Sequence, residues 1–329
     1  MSPDLYSPET RERWVDGAAD VDTSSVLNAK VADEAFPIVL YNPGAGNPHF
    51  GGTYQSEVLA SHGYIVVAIG HTGLTGIVRF PDGTEYTPRP DAPGFSLPRE
   101  QMVGLNEVEQ FEARKRNAQT HIMPLHVADV SFVLDQLTAL NDDQDSPLYH
   151  HLDLQKIGAL GFSLGGALSL QVARDDPRVK AAVNLDGWLY TDVTETGLSK
   201  PVLMIHNSAP NDLEPPDRRE LRLFAESQDW KLLRQVQADW YDVTITGTVH
   251  RYFSDRMRFD RQESGYLPVR YVHHITNGYV REFFDKYLKG AEDGPLLSGM
   301  TTFPEVKMIS SSSFDKPKDR FHKRDGTGF

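Results

Sequence analysis

The sequence contains no cysteine. That absence excludes disulfides, thiolate metal sites and a cysteine nucleophile together, and it leaves the redox compartment open. Basic residues are also scarce. Lysine and arginine number 33 against 46 aspartates and glutamates, a formal charge of −13, which repels a phosphate backbone and argues against a nucleic-acid partner. No apolar run reaches the length of a transmembrane segment. The opening Met1-Ser2-Pro3-Asp4-Leu5-Tyr6 lacks the basic and apolar parts of a signal peptide. The expectation is a soluble protein, cytoplasmic by default, with a trimmed secreted form and the oligomeric state both left open. What is present is enough apolar residue, 39% with 10% aromatic, to build a sizeable core, so a disordered or fibrous chain is excluded.

Apolar patterning along the 329 residues divides the chain into an N-terminal extension, a long α/β region and a polar tail. Residues 1–35 are polar and acidic, with 24–31 able to add an edge strand. Residues 36–307 alternate strand and helix patterns. Residues 37–41, 64–69, 156–160, 179–185, 201–205 and 240–245 read as strands buried on both faces. Residues 53–61, 122–140, 164–173, 216–227 and 275–288 read as helices. Residues 71–120 interrupt the alternation with a hairpin signal at Pro81-Asp82-Gly83-Thr84, a Pro-rich loop and a polar helix near 107–119. An insertion of that length is either a cap over a site or a surface excursion. Residues 308–329 read as a polar C-terminal tail. The β–α succession predicts one doubly wound, mostly parallel sheet with helices on both faces.

The chemistry concentrates at Gly161-Phe162-Ser163-Leu164-Gly165-Gly166, directly after a strand and at the start of a helix. Gly-x-Ser-x-Gly in that context is a nucleophile elbow, in which the serine occupies a sharp turn facing a helix N-terminus. A serine alcohol needs a histidine base oriented by a carboxylate, in the chain order serine, acid, histidine. His250 follows the strand at 240–245 after a short turn and is the expected base. Two aspartates compete as acid: Asp186 abuts its strand, whereas Asp212 sits seven residues past the next one. Rigidity favours Asp186, and the chain order alone leaves the pair open. The remaining histidines, among them His71, His121, His126, His150, His151, His273 and His274, show no ligand set for a metal. The oxyanion hole calls for the N–H of Leu164, plus one from the loop Asn42-Pro43-Gly44-Ala45-Gly46-Asn47, where Pro43 cannot donate.

The elbow, Asn-Leu-Asp-Gly-Trp at 184–188, Gly-Thr-Val-His-Arg-Tyr-Phe-Ser-Asp at 247–255 and Leu-Ala-Ser-His-Gly-Tyr-Ile-Val-Val-Ala at 59–68 together resemble the platelet-activating-factor acetylhydrolase group of α/β-hydrolases. The resemblance spans roughly residues 36–290. It implies the α/β-hydrolase fold with a cap-like insertion. By its Leu-Asp-x-Trp segment it implies Asp186 as the acid, with Asp212 in reserve, and by its Ser-His-Gly-x-Gly segment Ala45 as the second oxyanion donor. Two positions depart from the family pattern. Phe162 replaces the usual histidine before the serine, and Asn42-Pro43 replaces Ser-His.

The expectation is therefore a serine carboxylic-ester hydrolase working through an acyl-enzyme without metal or organic cofactor. The resemblance implies short-acyl, phospholipid-like or polyester-type substrates, and Phe162, Trp188, Tyr252 and Phe253 are expected to wall the pocket. The same triad could also serve an acyltransferase, a lactone-forming or lactone-opening enzyme or a C–C bond hydrolase. A non-catalytic binding protein on the same scaffold is the remaining possibility.

Overall fold

The computed structural model describes residues 23–86, 97–209, 216–258, 264–300 and 302–314. Its main sheet has seven strands, β1 (Phe36–Asn42), β2 (Ile65–Ala68), β5 (Leu152–Phe162), β6 (Val179–Leu185), β7 (Val202–Ser208), β8 (Trp240–Thr246) and β9 (Val306–Ser310), in the order β2-β1-β5-β6-β7-β8-β9. All neighbours are parallel except β8 and β9. The order runs outward in opposite directions from the β1–β5 pair. That reversal opens a crevice at the carboxyl ends of those two strands. The hairpin expected around Pro81 forms as a separate antiparallel pair, β3 (Val78–Arg79) and β4 (Glu85–Tyr86).

Alternation along each strand feeds two cores. In β1, Ile38 and Leu40 face one layer while Val39 and Tyr41 face the other, the period of two that a strand imposes. The first layer contains α2 (Glu107–Asn117), α3 (Met123–Asp142), α4 (Leu164–Asp175), the short α5 (Val193–Thr196) and α6 (Pro216–Leu233), and the second contains α1 (Thr53–Ser61) and α7 (Val269–Lys289). Helix α7 presents Ile275, Tyr279, Val280, Phe283 and Phe284 to the sheet, all buried.

Three expectations change. Residues 24–31 form no strand; Ser24 and Ser25 instead donate their backbone N–H groups to Glu57 on α1 (2.7 and 3.0 Å). The helix expected from 122 is continuous with the one before it. A π-helical turn at Ala118–Ile122 joins α2 to α3, immediately ahead of Pro124, which has no N–H to offer the preceding turn. The polar tail also begins later than 308, because Val306–Ser310 pairs with β8 along Tyr241 to Ile245. Phe314 then stacks on Trp230 (5.6 Å between centroids) and meets Trp240 edge-on (5.5 Å). Among the described residues no helix is long and apolar enough to cross a membrane.

The aromatic lock at the end of β9 is testable. Phe314→Ala is expected to lower unfolding stability by about 1–3 kcal/mol in urea titrations with the m-value unchanged. An unaltered midpoint would return residues 311–314 to the solvated tail.

Candidate active site

The turn between β5 and α4 is built by backbone contact. Ser163 has φ 55° and ψ −127°, a region that L-residues rarely occupy and that persists only where its surroundings force it. A Cβ on Gly161 would come within 2.0 Å of the Gly165 carbonyl oxygen, and one on Gly165 within 2.1 Å of the Asn42 carbonyl oxygen. Both positions therefore require glycine, and the turn closes against the carboxyl end of β1. The Ser163 N–H donates to the Leu185 carbonyl (2.9 Å), tying the elbow to β6 on its other side.

Residue Asp186 ends β6, again at positive φ (56°). Its N–H donates to the Ile205 carbonyl (2.7 Å). The Asn184 side chain brackets the turn, accepting from the Gly187 N–H and donating to its carbonyl, each at 2.8 Å. The nearly buried Asp186 carboxylate accepts from the Asn207 backbone N–H (2.9 Å, Oδ1) and side-chain amide (2.5 Å, Oδ2). His250 opens a 3-10 turn after β8. Its Nδ1 lies 2.6 Å from Asp186 Oδ2 and its Nε2 lies 2.9 Å from Ser163 Oγ. A carboxylate only accepts, so Nδ1 carries the proton and the bare Nε2 faces the serine hydroxyl. Three carboxyl-end loops thus bring Ser163, His250 and Asp186 into one hydrogen-bonded line, an arrangement able to withdraw a proton from Oγ. Asp212 lies outside the described residues.

The expected oxyanion donors border the same crevice. A Cβ on Gly44 would sit 3.0 Å from Ser163 Cβ and 3.0 Å from the Phe162 ring, which puts the loop carrying Ala45 against the elbow. Among the described residues no backbone acceptor takes the N–H of Ala45 or Leu164. The expected pocket walls divide. Phe162 is buried with its ring 4.7 Å from that of His250 and tilted by 33°. Trp188 is half-buried and packs on Phe111 of α2 (5.7 Å), which brings the helical part of the insertion beside the site. Tyr252 and Phe253 do not line a cavity wall. Both are fully buried in the layer of α7, because the 3-10 turn directs them inward while it turns His250 outward.

Two clusters escaped the sequence reading. On β7, His206 Nε2 lies 3.1 Å from Asp242 Oδ1 and 4.0 Å from Asp229 Oδ2. Burial works against its protonation, but the charge of Asp229, the hydrogen bond and charge of Asp242 and the charge of Asp186 more than offset it, and its pKa is pushed up to about 9. The second cluster is His71, His126 and Asp129, whose ligand-type atoms all lie within 4.8 Å of one another. Its one sequence signal is the His126 to Asp129 spacing on a helix face, which says nothing about His71, 58 residues from Asp129. Neither cluster touches Ser163.

Comparison with known proteins finds esterases and hydrolases of this fold. A PET hydrolase-like family model matches residues 124–227, the stretch holding the elbow and Asp186. The chain is 25% identical to a probable 1-alkyl-2-acetylglycerophosphocholine esterase of Arthroderma benhamiae over 90% of its own length and 74% of that protein's. It is also 25% identical to platelet-activating factor acetylhydrolase of Canis lupus familiaris, over 68% of its own length; there it spans about half of the relative, 49%. Among solved structures, a ferulic acid esterase from Streptomyces cinnamoneus superposes with a TM-score of 0.67 at 27% identity, covering 94% of this chain and 86% of that one.

If Asp186 holds the His250 tautomer, Asp186→Asn should lower kcat by about 10³–10⁴ while Asp212→Asn changes little. The reverse ranking in steady-state assays would move the acid to Asp212. The raised His206 pKa makes a separate prediction about stability. Its folded value exceeds the unfolded value of about 6.5, so its contribution is whole below pH 6.5 and is lost as pH rises through about 9. Thermal unfolding should therefore show a loss of about 1–3 kcal/mol across that window. The slope should flatten in His206→Gln, and an equal slope in both proteins would remove His206 as its source.

Proposed function

The chain is an α/β-hydrolase esterase of the platelet-activating-factor acetylhydrolase-like group, and from that premise we propose that it cleaves short-acyl carboxylic esters through a Ser163 acyl-enzyme. In this reading Ser163 Oγ attacks the ester carbonyl carbon as its proton passes to His250 Nε2. The negative charge that develops on the carbonyl oxygen is met by the N–H groups of Leu164 and Ala45, neither of which has a backbone acceptor among the described residues. The tetrahedral adduct collapses, the C–O bond to the alcohol breaks, and His250 returns the proton to the leaving oxygen. Water then enters by the same route. His250 takes its proton as the water oxygen bonds to the acyl carbon, the acyl–Oγ bond breaks to release the acid, and the proton returns from Nε2 to Ser163 Oγ. Asp186 keeps Nδ1 protonated and offsets the imidazolium charge throughout. One observation carries the reading: the unbroken line from Asp186 Oδ2 through His250 to Ser163 Oγ, at 2.6 and 2.9 Å.

The substrate is read from the rim. Phe162 beside the imidazole and Trp188 beyond Asp186 are apolar and bulky, and α2 closes on Trp188 through Phe111. Such a wall favours a small or flat acyl group over a long flexible chain. The relatives named above act on acetyl phospholipid and ferulic acid esters, and esters of those kinds, or aromatic polyesters, fit the same description.

A panel of chromogenic esters from acetyl to lauroyl, with an sn-2 acetyl phospholipid, methyl ferulate and a polyester film, tests both parts. Acetyl or butyryl ester should exceed lauroyl in kcat/KM by at least about tenfold, and Ser163→Ala should abolish turnover and organophosphonate labelling. A preference for lauroyl would overturn the substrate class. Exclusive transfer of the acyl group to an added alcohol would make the chain an acyltransferase.

A further inference from the structure

The loop that carries Ala45 begins at Asn42, and Asn42 is fully buried although it is polar. Its side chain is held on both sides. The Nδ2 group donates to Ser169 Oγ on α4 (2.9 Å), whose hydroxyl in turn donates to the Gly165 carbonyl (2.8 Å). Its Oδ1 lies 3.0 Å from Nε2 of His71, a histidine with no exposed surface. Across that ring, Nδ1 of His71 and Nδ1 of His126 each lie 3.0 Å from the same oxygen, Oδ2 of Asp129 on α3. Burial pushes the Asp129 pKa up, but the hydrogen bonds from His126 and His71 outweigh it and hold the group below the usual carboxylate range. As a carboxylate, Asp129 can only accept from both rings. With Nδ1 donating to Asp129, the contact with Asn42 is a hydrogen bond from the Nε2–H of an imidazolium to Oδ1 or, for the neutral ring, from the Asn42 amide N–H turned toward the bare Nε2.

The backbone of His71 reaches the same loop by a second route. Its carbonyl accepts from the N–H groups of Leu74 (3.1 Å) and Thr75 (2.9 Å) and from the Thr75 hydroxyl (2.6 Å), which curls the chain back. That curl presents the Leu74 carbonyl to the N–H of Gly46 (2.8 Å), the residue after Ala45, and sets Gly76 N–H on the Asn47 carbonyl (3.3 Å). Residues 42 and 46 are thus both fastened to the 71–76 turn, with Gly44 and Ala45 strung between them.

We propose that His71, backed by Asp129, is a positioning residue that fixes the Ala45 N–H for the oxyanion. The inference rests on the proposed role of Ala45. His71 touches neither the substrate nor Ser163; it acts through Asn42 and the Leu74 turn. The physical reason for a rigid mount is that an oxyanion donor works by being aimed at the transition-state oxygen beforehand, and a displacement of about 1 Å costs on the order of 10²-fold in rate. Ground-state binding depends on it far less.

The test compares four variants of the full chain. His71→Gln and Asp129→Asn should each lower kcat by about 10–100-fold with KM within about threefold of the parent, and should weaken a trifluoromethyl-ketone inhibitor in parallel with kcat. Leu134→Ala, in the buried face of α3 and apart from this network, supplies a stability control: it should lower the melting temperature while leaving kcat within about twofold. Ala45→Pro removes the donor itself and should cost about 10²–10³ in kcat. If Ala45→Pro is damaged and His71→Gln is not, the positioning role fails and the oxyanion reading stands. If neither variant loses rate, the oxyanion reading fails first. A kcat loss in Leu134→Ala equal to that in His71→Gln would reduce His71 to a structural residue. Stoichiometric zinc in the purified protein, with the same rate loss on chelation, would replace the hydrogen-bonded mount by a metal site.

Discussion

Everything at this site depends on how closely three backbones approach one another around Ser163. The serine sits at φ 55° because β5 ends, α4 begins and the end of β1 passes with no room for a side chain at Gly161 or Gly165. A residue in that region costs on the order of 1–3 kcal/mol, and the cost is met by surroundings that admit no alternative. The Leu185 carbonyl holds the Ser163 N–H, and the two hydrophobic layers hold β5 and β6 in register. The same crowding turns Oγ out of the sheet at the switch point, where the crevice opens. Strain, register and exposure of the hydroxyl are one constraint seen at three scales.

The acid is mounted by similar means but solves a different problem. A carboxylate as buried as Asp186 needs donors in place of the water it has given up. The backbone N–H and side-chain amide of Asn207 supply two donors and the His250 ring a third. Behind them the protonated His206, itself held between Asp242 and Asp229, adds a positive charge within electrostatic reach. Negative charge therefore collects on the floor of the site while His250 stands half-exposed at its mouth.

Much of this was legible in the sequence because it is local. Strand and helix positions followed from apolar period, and the elbow from a run of six residues. His250 and Asp186 followed from chain order and from segments resembling the acetylhydrolase group. What could not be read depends on register across strands. Nothing adjacent to Asn207 marks it as a donor to Asp186; the two meet because β6 and β7 end side by side. Tyr252 and Phe253 looked like pocket walls because they follow the histidine directly, yet a 3-10 turn separates their direction from its own. The strand at 306–310 was obscured by the serines and charges that follow it, since an edge strand with one exposed face carries little apolar signal.

The two departures from the family pattern now have a physical setting. Phe162 lays an aromatic face against the His250 ring at 4.7 Å, so the imidazole is confined on one side by an apolar wall where a histidine would bring a second titrating group. Asn42 stands where the family pattern that the sequence resembles has serine, and its amide spans two partners that a hydroxyl could not reach together, Ser169 on α4 and His71 beyond it. Because the Gly165 carbonyl accepts from Ser169 while a Cβ on Gly165 would strike the Asn42 carbonyl, the side chain of Asn42 and its own backbone grip the same turn of α4. The loop bearing one proposed oxyanion donor and the helix bearing the other are thereby joined by a single residue. A shift of either surface relative to the other must break a buried hydrogen bond, at about 1–3 kcal/mol each, and that energy keeps the two donors at a fixed separation before any ester arrives.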